Sequence, residues 1–228
     1  MLRVGTAGWA IRREHKDSFG GDGPQLSRYA ARLNAVEINS SFYRPHRAAT
    51  YARWAGETPD GFSFSVKMPR TITHEARLQG AQDELARFLG ECGALGEKLG
   101  CILIQLPPSL AYRSSDFFAR FRDDYAGAAA LEPRHAGWFT HEADAMLARY
   151  RIARVAADPP VAPFAPGGFK GFEYWRLHGS PKIYYSNYDD TFLAGLAKRH
   201  GRDAWVIFDN TALGHAATNA LELTRAGG

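Results

Sequence analysis

The chain lacks the features that mark secreted and membrane proteins. It has two cysteines in 228 residues and no Cys-x-x-Cys pair, so we expect Cys92 and Cys101 to be reduced core thiols. No apolar run approaches the roughly 18 residues that a membrane span requires. The first segment, MLRVGTAGW, has none of the regions of a signal peptide. We therefore expect a cytoplasmic protein without a membrane partner.

Several signature motifs of enzymes are also missing. There is no G-x-G-x-x-G turn, no P-loop, no Gly-x-Ser-x-Gly elbow and no His-Glu-x-x-His pair. No cofactor is predicted, and an open doubly wound sheet becomes the second choice of fold. The 28 basic and 24 acidic residues give a net charge of +4 without a basic tail, so nucleic acid is permitted as a partner but not indicated.

What the chain does contain is a regular series of eight β-like runs. They cover residues 2–9, 35–43, 62–69, 100–108, 129–134, 153–158, 173–179 and 204–210. Segments with apolar residues at helical spacing lie between most of them, and one of these follows a predicted cap at Ser114–Ser115. Alternating strands and helices indicate a parallel sheet, and a count of eight favours closure. We predict an α/β protein with a single (β/α)8 TIM-barrel domain over residues 1–228.

One connection breaks this pattern. The segment DPPVAPFAPGGFKGFE, residues 158–173, contains four prolines and three glycines and cannot form a regular helix. It is predicted to be an irregular connector or, alternatively, a loop over the site.

Polar residues occupy the ends of the predicted strands. Because alternate side chains of a strand face opposite ways, apolar neighbours directed outward send the polar residues inward. The inward set comprises Glu37, Asn39, Lys67, Gln105, Glu132, Arg134, Arg176 and His178. Asp209 and Asn210 end the eighth strand, whose facing is ambiguous. In (β/α)8 enzymes the site lies at the carboxyl ends of the strands, so this set predicts a functional site.

The residue types suggest roles within that site. Lys67, Arg134 and Arg176 are predicted to converge on one anion. Glu132 and His178 are the predicted acid–base pair, with Glu37 and Asp209 as further catalytic carboxylates. The predicted ligand-binding residues are Lys67, Arg134, Arg176, Asn39, Gln105, Tyr188 and Asn210. No metal ligand is assigned, since the cations compete with a divalent metal that the carboxylates and His178 could otherwise bind. A purely structural network of compensating charges is the alternative.

Seven segments also carry a family resemblance. They are VGTAGW, AVEINSSFYR, FSFSVKMPRTITHEARL, ILIQLPPS, LEPRHAGWF, RLHGS…YDD and FDNTALGHAATNALEL. In this order, over nearly the whole chain, the sequence resembles the domain of unknown function 72 family, also described as sugar-isomerase-related. The resemblance implies a (β/α)8 barrel and a bacterial or archaeal cytoplasmic protein, with no assigned activity.

The sequence departs from that family pattern at three places. The first loop reads SFGGDGPQL where a Phe-Tyr-Pro-like turn is usual. Strand seven ends in His178-Gly179-Ser180 where Gly-Arg is common, which removes a cation. Asp209 replaces the usual first asparagine of Phe-Asn-Asn and adds a carboxylate.

Three functions fit these observations. The first is an enzyme of isomerase or hydrolase type that acts by acid–base chemistry on a polar or anionic, carbohydrate-like small molecule. The second is a nucleic-acid-processing barrel, and the third is a non-catalytic ligand-binding protein. The mixed charge of the site favours the first.

Overall fold

The computed structural model describes residues 1–113, 116–162, 164–201 and 203–226. Its strands are β1 (Leu2–Thr6), β2 (Ala35–Ile38), β3 (Ser63–Lys67), β4 (Leu99–Gln105), β5 (Ala129–Glu132), β6 (Ile152–Arg154), β7 (Ala156–Asp158), β8 (Gly167–Gly168), β9 (Glu173–Leu177) and β10 (Ala204–Phe208). Its α-helices are α1 (Lys16–Phe19), α2 (Gln25–Ala30), α3 (Ala48–Gly56), α4 (Gln82–Cys92), α5 (Phe117–Asp124), α6 (His141–Arg149), α7 (Asp190–Arg199) and α8 (His215–Ala226). A π-helical turn covers Thr71–Glu75. The predicted cap at Ser114–Ser115 lies outside the described residues.

The strands form two sheets. One has the order β1-β10-β9-β7 and is wholly parallel; the other has the order β2-β3-β4-β5-β6-β8 and is parallel except for its last pair. The prediction of an α/β fold with parallel strands is thus confirmed. The predicted single closed barrel is not confirmed, because the hydrogen-bonded ladders do not join into one closed sheet.

The two sheets meet at two places. Between β1 and β2 there is only an isolated bridge, Ala7 to Glu37. Gly5 brings these strands together, because a Cβ added there would lie 2.1 Å from the carbonyl oxygen of Ala35. The predicted sixth strand is divided at Val155, so that β6 pairs with β5 whereas β7 pairs with β9. One extended segment therefore contributes to both sheets.

Side chains on the strands separate into two apolar clusters. The larger cluster packs the strands against the helices, and the smaller one lies on their other face. The smaller cluster includes Ala35, Leu103, Ala130, Tyr174 and Ile207. Each of these residues precedes a polar site residue by two positions on the same face. The predicted strand facing is therefore observed, and Ile207 resolves the ambiguity of the last strand.

The helical connections follow the prediction with one omission. Helix α3 buries only Tyr51 and Trp54, so its apolar spacing was too sparse to predict it. Among the described residues of 158–173 there is no helix, and Gly167–Gly168 pairs antiparallel with β6. In the described part of the chain, no helix is long and apolar enough to cross a membrane.

Candidate functional site

The predicted polar residues meet at the carboxyl ends of the strands. Glu37, Lys67, Glu132 and Arg176 lie on β2, β3, β5 and β9. His178 and Asp209 come just after β9 and β10. All six are buried. Strand β5 ends at Glu132 because Pro133 follows it and cannot donate a hydrogen bond to the ladder.

Arg176 occupies the centre of this site. Its Nε and Nη2 atoms donate to the two oxygens of Glu37, at 2.9 and 2.7 Å. Its Nη1 atom lies 3.1 Å from Glu132 Oε2, and its Nη2 atom lies 2.9 Å from Asp209 Oδ2. One planar guanidinium thus holds three carboxylates from three different strand ends.

This arrangement changes the interpretation of Arg176. We predicted that it would share an anion with Lys67 and Arg134, but its donors are already occupied by carboxylates. A free anion would have to displace one of them in a buried environment, where an unpaired charge is costly. Arg176 thus holds three carboxylates together, and the convergence of Lys67, Arg134 and Arg176 on one anion stays a prediction.

His178 lies between two carboxylates. Its Nε2 atom is 2.9 Å from Glu132 Oε1, and its Nδ1 atom is 3.0 Å from Asp209 Oδ2. Burial lowers the pKa of His178, but the charge of Glu132 and the hydrogen bond to Asp209 raise it more, so the pKa lies above its ordinary value. Burial raises the pKa of Glu132, yet Arg176 and His178 bring it well below its usual range. The carboxylate at each nitrogen thus favours the protonated form of the ring.

Lys67 differs from the other cations of the site. Its side chain is buried, at 5% exposure, and its Nζ atom lies 4.0 Å from the centre of the Phe42 ring. Within the described residues, no hydrogen bond or ion pair reaches the ammonium. Burial and then the charge of Arg176 lower the pKa of Lys67 to about 8, although the three carboxylates oppose this change.

Three further predicted residues border the cluster. The Gln105 amide donates to Glu132 Oε1 at 3.1 Å, and Arg134 Nη1 donates to the same oxygen at 3.1 Å. The Arg134 side chain is 21% exposed and leaves donors facing the solvent. Asn39 has a buried Oδ1 atom for which the described residues provide no donor.

Tyr188 and Asn210 are placed differently from the prediction. The Tyr188 hydroxyl donates to Asp158 Oδ2 at 2.6 Å and accepts from Gly179 N–H, and its ring stacks on Phe192. The Asn210 amide donates to the Ser186 carbonyl at 2.9 Å and to Asn219 Oδ1 at 3.0 Å. Both side chains are buried in the loop framework behind the site. Their contact with a ligand stays a prediction.

Two tyrosines outside the predicted ligand-binding set lie beside the cluster. The Tyr174 hydroxyl lies 3.0 Å from Glu37 Oε2, and its position two residues before Arg176 could have predicted this. Tyr184 is 46% exposed, with its ring centre 6.0 Å from that of His178. It adopts a φ of 70°, which is uncommon for a residue with a side chain and has no reliable sequence signature outside glycine. Its N–H donates to the His178 carbonyl, which holds the loop over the site.

Within the described residues, no group of three or more His, Cys, Asp and Glu side chains is arranged to hold a metal ion. The Arg176 guanidinium lies between the three carboxylates and takes the position at which a cation would bind them. The residues present therefore give no basis for assigning a metal.

The sequence and this geometry agree with one protein family. A family model described as protein of unknown function DUF72 matches residues 3–228. The chain belongs to the DUF72 family. This confirms the resemblance found in the sequence motifs, and it leaves the activity to be inferred from the site.

Known relatives agree with this membership. The UPF0759 protein YecE of Escherichia coli K12 is 32% identical over 116 residues, which cover 50% of this chain and 43% of the relative. The UPF0759 protein YunF of Bacillus subtilis 168 is 25% identical over 149 residues, which cover 61% of this chain and 53% of the relative. The matched regions thus span about half the length of these bacterial relatives.

Solved structures of the family share the fold. A DUF72 family protein of Thermotoga maritima MSB8 superposes with a TM-score of 0.80 at 24% identity, covering 99% of this chain and 98% of that one. One from Enterococcus faecalis V583 has a TM-score of 0.80 at 20% identity, covering 100% and 95%. At these identities the likeness concerns the fold alone.

Proposed function

We propose that this DUF72 protein is an enzyme that acts by acid–base chemistry on a polar or anionic, carbohydrate-like small molecule. The observation that carries the proposal is His178, which is held between Glu132 and Asp209 at 2.9 and 3.0 Å. Because each ring nitrogen has a carboxylate partner, His178 is oriented to exchange a proton with Glu132 and Asp209 and to relay it between them. An isomerase or a hydrolase suits such a group.

The charge distribution supports an anionic group in the substrate. The three carboxylates are paired with Arg176, and Glu132 and Asp209 also contact the His178 ring. Two cations are then available to a ligand. Arg134 donates to Glu132 but stays partly exposed, and Lys67 has no ion pair among the described residues. A phosphate or carboxylate would be attracted more strongly there than at an exposed surface, because solvent screens these charges less.

The same proposal includes the finer architecture. The bridge between Ala7 and Glu37 and the segment shared by β6 and β7 support a functional (β/α)8 barrel, with the site at its mouth. A cytoplasmic location belongs to the proposal as well.

Proton exchange tests the proposed chemistry directly. Ketose and aldose phosphates and sugar acids are incubated with the protein in D2O, and deuterium at the carbon beside the carbonyl is followed by ¹H NMR. The wild-type protein is expected to catalyse exchange with at least one of them. His178→Asn should reduce the rate by about 10²–10⁴-fold, since it removes the proton-transferring group.

His141→Asn is the matched control, because His141 is exposed at the start of α6 and, within the described residues, has no hydrogen bond or ion pair with the cluster. It should leave exchange unchanged. Equal exchange by wild type and His178→Asn would contradict the proposal. Binding of a compound without any turnover would favour a non-catalytic ligand-binding protein instead.

Exposed tyrosines favour a nucleic-acid-processing protein as the second candidate. Tyr43 is 69% exposed beside Arg44, and Tyr184 and Tyr185 follow Lys182 in another loop at the strand ends. Aromatic rings among cations can stack on bases while the charges bind phosphate. Fluorescence anisotropy with labelled single-stranded DNA at several salt concentrations tests this candidate, which requires binding that weakens steeply with salt.

A further inference from the structure

Lys67 has surroundings that suit a nucleophilic amine. It lies at the carboxyl end of β3, on the face that carries the site, and it is the lysine of this cluster. The guanidinium of Arg176 and the imidazole of His178 take the carboxylate oxygens that could otherwise bind an ammonium. A lysine that has no salt bridge and is held among other cations can lose its proton at moderate pH.

The charged groups around Lys67 come from several elements. Arg176 on β9 disfavours the ammonium, whereas Glu37 on β2, Glu132 on β5 and Asp209 after β10 favour it. His74, in the π-helical turn after β3, has its pKa lowered by burial and then by Lys67, so the two groups are close enough to interact. Burial and Arg176 together outweigh the carboxylates, and the pKa of Lys67 falls to about 8.

The Lys67 nitrogen is not completely enclosed. Among the described residues, the fully enclosed polar atoms that lack a partner do not include Lys67 Nζ. Because Nζ has no hydrogen bond either, it keeps contact with solvent. The Phe42 ring, 4.0 Å away, covers one side of the amine and restricts its position.

From this geometry we propose that Lys67 forms an imine with the carbonyl group of an aldehyde or ketone substrate. The neutral amine attacks the carbonyl carbon, and its proton passes to the carbonyl oxygen to give a carbinolamine. Loss of one water molecule then gives the C=N bond, with no oxidant or reductant required. The inference rests on the proposed function and identifies its substrate class as carbonyl compounds such as open-chain sugars. Arg134 then remains as the cation for an anionic group of the substrate.

Reductive trapping tests this inference. The folded protein is incubated at pH 7.5 with glyoxylate or glycolaldehyde and sodium cyanoborohydride, and peptide mass spectrometry gives the rate of alkylation at each lysine. Lys182, which is exposed, and Lys98, whose ammonium donates to the Ala55 and Thr58 carbonyls, are internal controls. With a pKa of about 8, a much larger fraction of Lys67 than of an ordinary lysine is neutral at pH 7.5. We expect Lys67 to react at least about tenfold faster than Lys182, allowing for its burial and lower basicity.

Lys67→Arg keeps the cation and should remove the fast site while the other lysines react as before. The comparison within the wild-type chain holds even if that variant fails to fold. Alkylation of Lys67 no faster than that of Lys182, or only after denaturation, would overturn the inference. The proposed function is tested separately. If deuterium exchange depends on His178 but Lys67 is not trapped, the acid–base proposal stands and only the imine is rejected. Trapping without such exchange would leave the imine and reject the role of His178.

Discussion

At the scale of single residues, the site depends on how burial and charge are balanced at each ionisable group. His178, His46 and His74 are all at least partly buried, and burial lowers the pKa of each. Only His178, of these three, contacts carboxylates that outweigh this effect. The imidazole pKa is therefore raised at His178 and lowered at His46 and His74, within one protein.

An NMR titration of the histidines can measure this difference. We expect the pKa of His178 to lie above 6.5 and those of His46 and His74 to lie below it. Asp209→Asn should lower the His178 pKa, because it removes one of the two carboxylates that stabilise the imidazolium. His46 and His74 serve as controls within the same sample. A His178 pKa below 6.5 would mean that desolvation dominates and that the imidazolium is not held as described.

The sequence predicted which residues share the site but not how they pair. Strand periodicity alone directs Glu37, Glu132 and Arg176 to one face, whatever the rest of the fold does. The pairing of Arg176 with three carboxylates depends on distances between strands that are far apart in sequence. Lys67, Arg134 and Arg176 were therefore treated as equivalent cations, although the structure gives each a different set of partners.

At the scale of secondary-structure elements, strand positions were predictable and ladder interruptions were not. Short, largely apolar runs identified the strands longer than two residues among the described residues, since burial on both faces favours such runs. The division at Val155 has no such pattern, because it depends on which neighbouring strand accepts each hydrogen bond. Strand β8 could not be predicted either, because two residues are too few to show an alternating pattern.

The contact between β1 and β2 depends on a single glycine and can be tested by substitution. A Cβ at Gly5 would lie 2.1 Å from the Ala35 carbonyl oxygen, so the backbones must separate. We expect Gly5→Ala to lower the free energy of unfolding by roughly 1–3 kcal/mol, as overpacking does. Urea denaturation measures this change.

Gly90→Ala is the control for that substitution. Gly90 lies within α4, and a Cβ there would meet no other atom within 4 Å. Alanine should raise the free energy of unfolding by roughly 0.5–1 kcal/mol, because it favours the helical conformation. If Gly5→Ala were as stable as Gly90→Ala, the close approach of β1 and β2 would not be required for the fold.

At the scale of the whole molecule, the site has a cost in stability that the fold must offset. Burying Lys67 disfavours its charged form. The lowering of its pKa from 10.5 to about 8 reflects the free-energy cost of burying that charge. Natural proteins retain such groups where function needs them and compensate elsewhere, here with a large apolar core on both faces of the strands. The global stability should therefore respond to this one side chain.

Lys67→Met tests that response through its pH dependence. Below pH 8 the lysine is protonated in both the native and the unfolded chain, so the full cost of burying its charge is present. Between pH 8 and 10.5 the unfolded chain binds more protons than the native one, and the contribution of Lys67 to stability rises with pH. At pH 7 we expect Lys67→Met to raise the free energy of unfolding by on the order of 1–3 kcal/mol, and we expect this gain to shrink toward pH 10.5.

The matched control is Lys98→Met, measured by urea denaturation at the same pH values. The Lys98 ammonium donates to the carbonyls of Ala55 and Thr58 at 2.7 and 2.6 Å, so it stabilises the native state. Its removal should lower the free energy of unfolding, opposite in sign to the effect at Lys67. Destabilisation by Lys67→Met at pH 7 would show that the ammonium is held by the three carboxylates as part of the charge network. The amine would then be a structural cation, and the case for a reactive lysine would lose its energetic basis.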